Sequence, residues 1–203
     1  MATMKKTYHH GDLATVLTQA VRTLIERDGA AHFSIAEACK MAGVSTAAPY
    51  KHFKEKQEIL ESVAKSGFQD MTEEMIEARD SAGPNEPGRA ERIAAIGKAY
   101  VGFARKNPGA FRLMFGSSPN VKENDTVHDC GHRCFSILIE EVAAHLGMTP
   151  DDDRTKQLSV LLWTFVHGAA SLEIDNDYEA ADTVIDVDGM VDLATYRLLN
   201  TVS

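Results

Sequence analysis

Residues 34–53, SIAEACKMAGVSTAAPYKHF, decide the fold. Ser34 and Glu37 have the spacing of a capping box, in which serine and glutamate each satisfy an open backbone donor at a helix start. Ile35, Ala38 and Cys39 form the inner face of that helix, and Ala38 is small enough for a close crossing. Gly43 supplies the left-handed conformation that stops it. The turn Ala42-Gly43-Val44 places Val44 between two helices, and Ser45 caps a second short one over residues 45–51. Short helix, glycine turn and short helix together make a helix-turn-helix.

In this motif the second helix enters the major groove by its N-terminal end, so small residues there permit close approach. Thr46, Ala47 and Ala48 meet that need. Ser34, Ser45, Tyr50, Lys51, His52, Lys54 and Lys56 add hydroxyl and cationic donors for phosphate oxygens, which fix position rather than sequence. Charge agrees with this placement. Residues 1–54 hold seven Lys/Arg against four Asp/Glu, a net of +3, and the chain's total of −9 leaves −12 for the remainder. A basic end on an acidic body fits a DNA-contacting module attached to a part that stays off the duplex.

Outward from the motif the chain reads as all-α, with no strand and hairpin pattern. Leu13, Val16, Leu17, Ala20, Val21, Leu24 and Ile25 form one helical stripe ending at Gly29. A long helix over 56–79 carries Ile59, Leu60, Val63, Ala64, Phe68, Met71 and Met75. SAGPNEPG, residues 81–88, reads as a linker because its prolines and glycines cannot continue a helix. Beyond it, helices are expected at 89–106, 108–115, 126–146, 150–174 and 183–199, with Thr149 capping the fourth of these. The most apolar segment, 158–172, is interrupted by polar residues and is too short to span a membrane. The N-terminus lacks a secretion signal, so a cytoplasmic location is expected. Cys39, Cys130 and Cys134 are then expected as free, packed thiols.

Residues 8–60 resemble the DNA-binding domain of the tetracycline-repressor family. The resemblance rests on the first helix ending at Gly29, the Ser34-Ile-Ala-Glu start and the Ala42-Gly-Val-Ser turn. Tyr50-Lys-His-Phe53 and Lys56 followed by Glu58-Ile59-Leu60 complete it. Trp163-Thr-Phe-Val-His167-Gly168 and Tyr-His-His-Gly-Asp-Leu at 8–13 resemble one subgroup with a Trp–His–Gly signature. Two positions depart from the pattern, Pro49 where an aliphatic residue is usual and Glu55 where a capping residue is common. The resemblance implies a three-helix DNA-binding domain, 1–54, on a larger helical ligand-binding and dimerisation domain, 55–203. It implies a homodimer on a near-palindromic double-stranded operator, released by a small-molecule effector, with repression the expected outcome. A helical small-molecule-binding or interaction protein without DNA binding is the alternative reading.

An effector pocket is expected between the long helix and the body, lined from Phe68, Met71, Met75, Tyr100, Phe103, Phe111, Met114, Phe115, Cys134, Trp163 and His167. Flexible methionines and aromatic rings there suit an apolar or aromatic molecule, oriented by Tyr100 or His167. The dimer interface is expected on the last two helices through Leu161, Phe165, Val184, Val187, Val191, Ala194 and Leu198. No nucleophile, phosphate loop, dinucleotide fingerprint or metalloprotease motif appears, so neither catalysis nor a cofactor is expected. His128-Asp-Cys130-Gly-His132-Arg-Cys134 carries metal-ligand residue types. On a helix, however, the two histidines lie nearly opposite the two cysteines, so the four cannot converge. That leaves a two-histidine site completed from elsewhere, against the favoured reading of surface histidines and packed thiols.

Overall fold

The structure, a computed structural model, describes residues 10–83, 86, 89–116, 121 and 124–201. Tyr8 and His9, part of the subgroup signature, lie outside these residues, as do Pro84, Asn85, Pro87 and Gly88 of the expected linker. Among the described residues every regular element is helical. The α-helices are α1 (His10–Asp28), α2 (Ile35–Ala42), α3 (Lys56–Ser81), α4 (Ala90–Lys106) and α5 (Pro108–Phe115), then α6 (Asp125–Leu146), α7 (Asp153–Ile174) and α8 (Val187–Thr201).

Local chemistry sets most of these boundaries. Gly29 and Gly43 end α1 and α2 at φ +81° and +68°, a backbone conformation that side chains with a Cβ rarely adopt. α5 begins with Pro108, whose missing N–H costs nothing in a first helical turn. Asn124 caps α6 by accepting from the N–H groups of Thr126 and Val127.

Three boundaries differ from expectation. α7 starts at Asp153 rather than Pro150, because the Asp152 carboxylate accepts from Arg154 N–H at 2.8 Å and displaces Thr149 as the cap. α8 starts at Val187 rather than Thr183. Asp182 sits in the left-handed region at φ +47°, and Asp186 accepts from Gly189 N–H at 3.0 Å to cap the helix. The expected second helix of the motif is a turn followed by a 3-10 helix, Pro49–Lys51. Pro49 has no N–H to give the Ser45 carbonyl, so the first α-helical bond is missing, and Ala48 N–H bonds that carbonyl instead at 3.0 Å.

The long helix α3 and the central α4 organise the core. Val63, Met71, Val101 and Phe103 are fully buried along them. α4 also crosses α7 and α8 closely, since a Cβ at Gly97 would lie 2.9 Å from Val191 and 3.1 Å from Val166. Among the buried polar groups of this core is Arg92, whose guanidinium grips Glu141 of α6 in several bonds, the shortest 2.7 Å. It also donates to the Arg79 carbonyl and reaches Asp80, joining the end of α3 to α4 and α6. Removing either partner leaves the other with more distant charges, Asp80 for Arg92 and Arg79 for Glu141, so the cost falls below the roughly 3–5 kcal/mol of a fully stranded buried charge.

Candidate functional site

α1 and α2 pack on one another, and the motif's outer edge is exposed. Ser34 accepts from Glu37 N–H at 3.4 Å, half of the expected capping box. Glu37 turns instead to Arg27, 3.0 Å away, because the end of α1 presents that guanidinium to it. Ser45, Thr46, Ala47, Tyr50 and Lys51 are exposed, Tyr50 at 61%, while Ala48 and His52 are half-buried and Pro49 faces inward. Lys56 is engaged within the chain. Its ammonium donates to the Phe33 carbonyl at 3.2 Å and lies 4.1 Å from the centre of the Phe33 ring. It therefore holds the start of α3 against the loop after α1. Glu58 accepts from Lys54 N–H at 2.7 Å, compensating for the missing side-chain cap at Glu55.

A cavity of about 580 Å³ lies between α3, α4, α5, α6 and α7, with Thr195 of α8 on its wall. Phe68, Met75, Tyr100, Met114, Phe115, Cys134, Trp163 and His167 line it as the sequence suggests. Three other expected residues stand behind the wall. Phe103 is fully buried beneath the Arg22 guanidinium, and Met71 is fully buried in the core. Phe111 stacks on His167 with ring centres 5.5 Å apart. The wall is completed by Ile93, Ile96, Gly97, Val127, His128, Gly131, His132, Phe135, Leu138, Leu162, Val166 and Thr195. Helical spacing from Cys134, through Val127, Gly131 and Leu138, is the signal that could have found the α6 members.

Polar chemistry gathers at two places on this apolar wall. In one, Trp163 Nε1 donates to the Tyr100 oxygen at 3.3 Å, and that oxygen lies 2.8 Å from His167 Nδ1. Burial pushes the Tyr100 hydroxyl well above the ordinary tyrosine range, so it stays a donor. In the other, His128 Nε2 and His132 Nε2 lie 3.2 Å apart. Cys134 packs against Met75 sulfur at 3.6 Å, and burial pushes its thiol up to about 11.

Polar contacts join α1, which packs on α2, to the helices around the cavity. Glu26 of α1 accepts from Gly109 N–H at 2.7 Å and Ala110 N–H at 2.8 Å, the open donors in the first turn of α5. One turn earlier, Arg22 pairs with Asp70 of α3 and donates to Asn107 Oδ1 at 2.9 Å. α5 supplies Met114 and Phe115 to the cavity.

The residues expected at a dimer interface divide. Leu161 is exposed, and Phe165, Ala194 and Leu198 are half-buried. Val187 and Val191 turn into the chain's own core at 5% and 0% exposure, and Val184 precedes α8. Val160, Leu172, Leu193 and Tyr196 are also exposed on these helices.

A helix-turn-helix joined through one long helix to a helical body around an apolar cavity is the architecture of ligand-responsive transcription regulators. Residues 93–198 match the family described as "Tetracyclin repressor-like, C-terminal domain", and the chain belongs to the tetracycline-repressor family, whose members are regulators rather than enzymes. It is 25% identical over 215 residues to the HTH-type transcriptional regulator Mb1846 of Mycobacterium bovis, covering 92% of this chain and 89% of that one. It is 32% identical over 117 residues to the nucleoid occlusion factor SlmA of Aliivibrio fischeri, a match spanning just over half of each, 57% and 56%. A solved structure of a protein of unknown function from Rhodococcus sp. RHA1 superposes with a TM-score of 0.77 at 27% identity, over 97% and 98% of the two chains. No described helix is long and apolar enough to cross a membrane.

Proposed function

We propose that the protein is a dimeric transcriptional repressor, working in the cytoplasm, that holds a near-palindromic operator and is released by a small apolar effector. Residues 1–54 form its DNA-binding part and residues 55–203 its ligand-binding and dimerisation part. The observation that carries this reading is the Glu26 cap. A residue of α1 holds the first turn of α5, and α5 lines the cavity, so a molecule that displaces α5 also moves the motif.

Thr46, Ala47 and Ala48 face base edges, with Ser34, Ser45, Tyr50, Lys51 and His52 toward phosphates and Lys56 bracing the motif from behind. Two copies joined through the exposed apolar residues of α7 and α8 set the two motifs about 34 Å apart, one helical repeat of DNA. The effector is mostly apolar, with one hydrogen-bonding group for Tyr100 and His167. Ligand and DNA oppose one another reciprocally, by about 1–3 kcal/mol.

Selection of genomic fragments by the purified protein, followed by fluorescence anisotropy on the recovered duplexes, tests this. Sequence-selective, salt-sensitive binding by a dimer is expected, together with release by compounds that raise the protein's melting temperature. Retention of no particular sequence would leave the helical binding protein without DNA affinity as the better reading.

A further inference from the structure

We propose that His128 and His132 form a two-point chelate for a divalent late transition metal ion, Cu2+, Ni2+ or Zn2+, on the wall of the cavity. The site stands on the two imidazoles and is independent of the repressor reading.

The geometry is that of a chelate. The residues are one helical turn apart on α6, with ring centres 4.3 Å apart and planes at 78°, and their Nε2 atoms converge to 3.2 Å. Metal–imidazole bonds of about 2.0–2.1 Å put two ligand nitrogens about 2.9 Å apart at a right angle and about 3.3 Å apart at a tetrahedral one. The observed separation falls between these values, so an ion can enter without moving α6. Without metal, one ring must donate its Nε2 proton to the other, and only one lone pair is used. A metal ion uses both. The donating ring then carries its proton on Nδ1, a tautomer exchange through solvent that leaves the net charge of the two neutral rings unchanged.

Position adds to geometry. Both side chains are exposed yet belong to the cavity wall, which places them at its mouth. Among the described residues no group of three or more His, Cys, Asp or Glu side chains is placed to hold a metal. Among the described residues an ion here has two protein ligands, which leaves positions for water or for donor atoms of a molecule in the cavity. Imidazole nitrogens and the Irving–Williams order favour Cu2+ as the tightest of the three.

Trp163, the single tryptophan of the chain, lines the same cavity and reports on paramagnetic Cu2+ by quenching. Titration of the full chain with Cu2+ alone should quench Trp163 saturably and reversibly with EDTA. His128→Gln and His132→Gln should each weaken the titration by about tenfold or more, and the double variant should lose less than the two single losses combined, as expected when two donors act together. Copper held by His9 and His10 is accounted for by repeating the series in His9→Gln/His10→Gln. Circular dichroism melting checks that the exposed substitutions leave the fold intact. Absence of saturable quenching, unchanged affinity in either single variant, or losses that simply add in the double variant would overturn the chelate.

Discussion

The Tyr100 hydroxyl and His167 Nδ1 lie 2.8 Å apart across the α4–α7 interface, with Trp163 donating to the same hydroxyl. The indole N–H occupies one lone pair of the oxygen, and the hydroxyl's second bond joins it to Nδ1, with the donor set by the histidine tautomer. Tyr100→Phe removes the shared oxygen and keeps the ring's packing against Phe111 and Phe115. It should cost about 1 kcal/mol in denaturant unfolding and shift the Trp163 emission maximum. Unchanged emission and unchanged stability would show that the three groups act separately.

Alkaline pH should destabilise the protein through Cys134. Its thiol rises from an ordinary 9.0 to about 11 on burial. Below pH 9 the proton is held in both folded and unfolded chains, and stability is unaffected. Between about 9 and 11 only the unfolded chain ionises, so stability falls as pH rises, by roughly 2–3 kcal/mol in all. Tyr100, also raised by burial, adds a loss of the same sign. Urea midpoints between pH 8 and 11 should show a shallower decline for Cys134→Ala than for the parent; parallel curves would remove the assignment.

Glu26→Gln should loosen the join between the motif and the body. The amide keeps one acceptor where the carboxylate has two, so one of the Gly109 and Ala110 donors loses a charge-assisted bond of about 1.5–3 kcal/mol. Hydrogen exchange at these two amides should accelerate, as should exchange through α1. Unaltered protection at both amides would mean the cap is dispensable.

Leu193→Glu on α8 and Leu161→Glu on α7 should each give a helical monomer by light scattering. The parent side chains are 60% and 46% exposed, so a charge there costs the single chain little, while a buried, unpaired carboxylate would break a dimer contact. A stable dimer in both variants would place the interface elsewhere.

Much of the fold is legible because punctuation is local. Pro108 and Gly116 bracket α5, and Gly29 and Gly43 stop their helices with a conformation few other residues adopt. The start of α7 turns on competition between nearby capping side chains, Thr149 against Asp152, which differ little in energy, and the start of α8 turns on Asp186, which caps the helix a few residues after the apolar stripe begins. Tertiary relationships were harder. Helical phase separates His128 and His132 from the cysteines, yet it does not say which face meets the cavity, and both faces of α6 contribute to the wall. Glu26 reads as an ordinary surface acid because its partner lies 83 residues away. The stripe of Val187 and Val191 reads as partner-facing because an apolar stripe looks the same whether its complement lies in the same chain, as Gly97 does for Val191, or in a second copy.

The Glu26 cap also limits how the chain can recombine. Grafting the first 54 residues onto another helical body would carry the carboxylate away from the α5 amides it was fitted to. A hybrid regulator built at that seam would inherit an unsatisfied helix start and a severed line between sensor and reader. Moving the seam does not help, because α1 and α5 lie far apart in sequence. A functional hybrid therefore has to transplant residues 22, 26 and 107–110 as one unit, and lineages that exchange such halves should exchange these positions together.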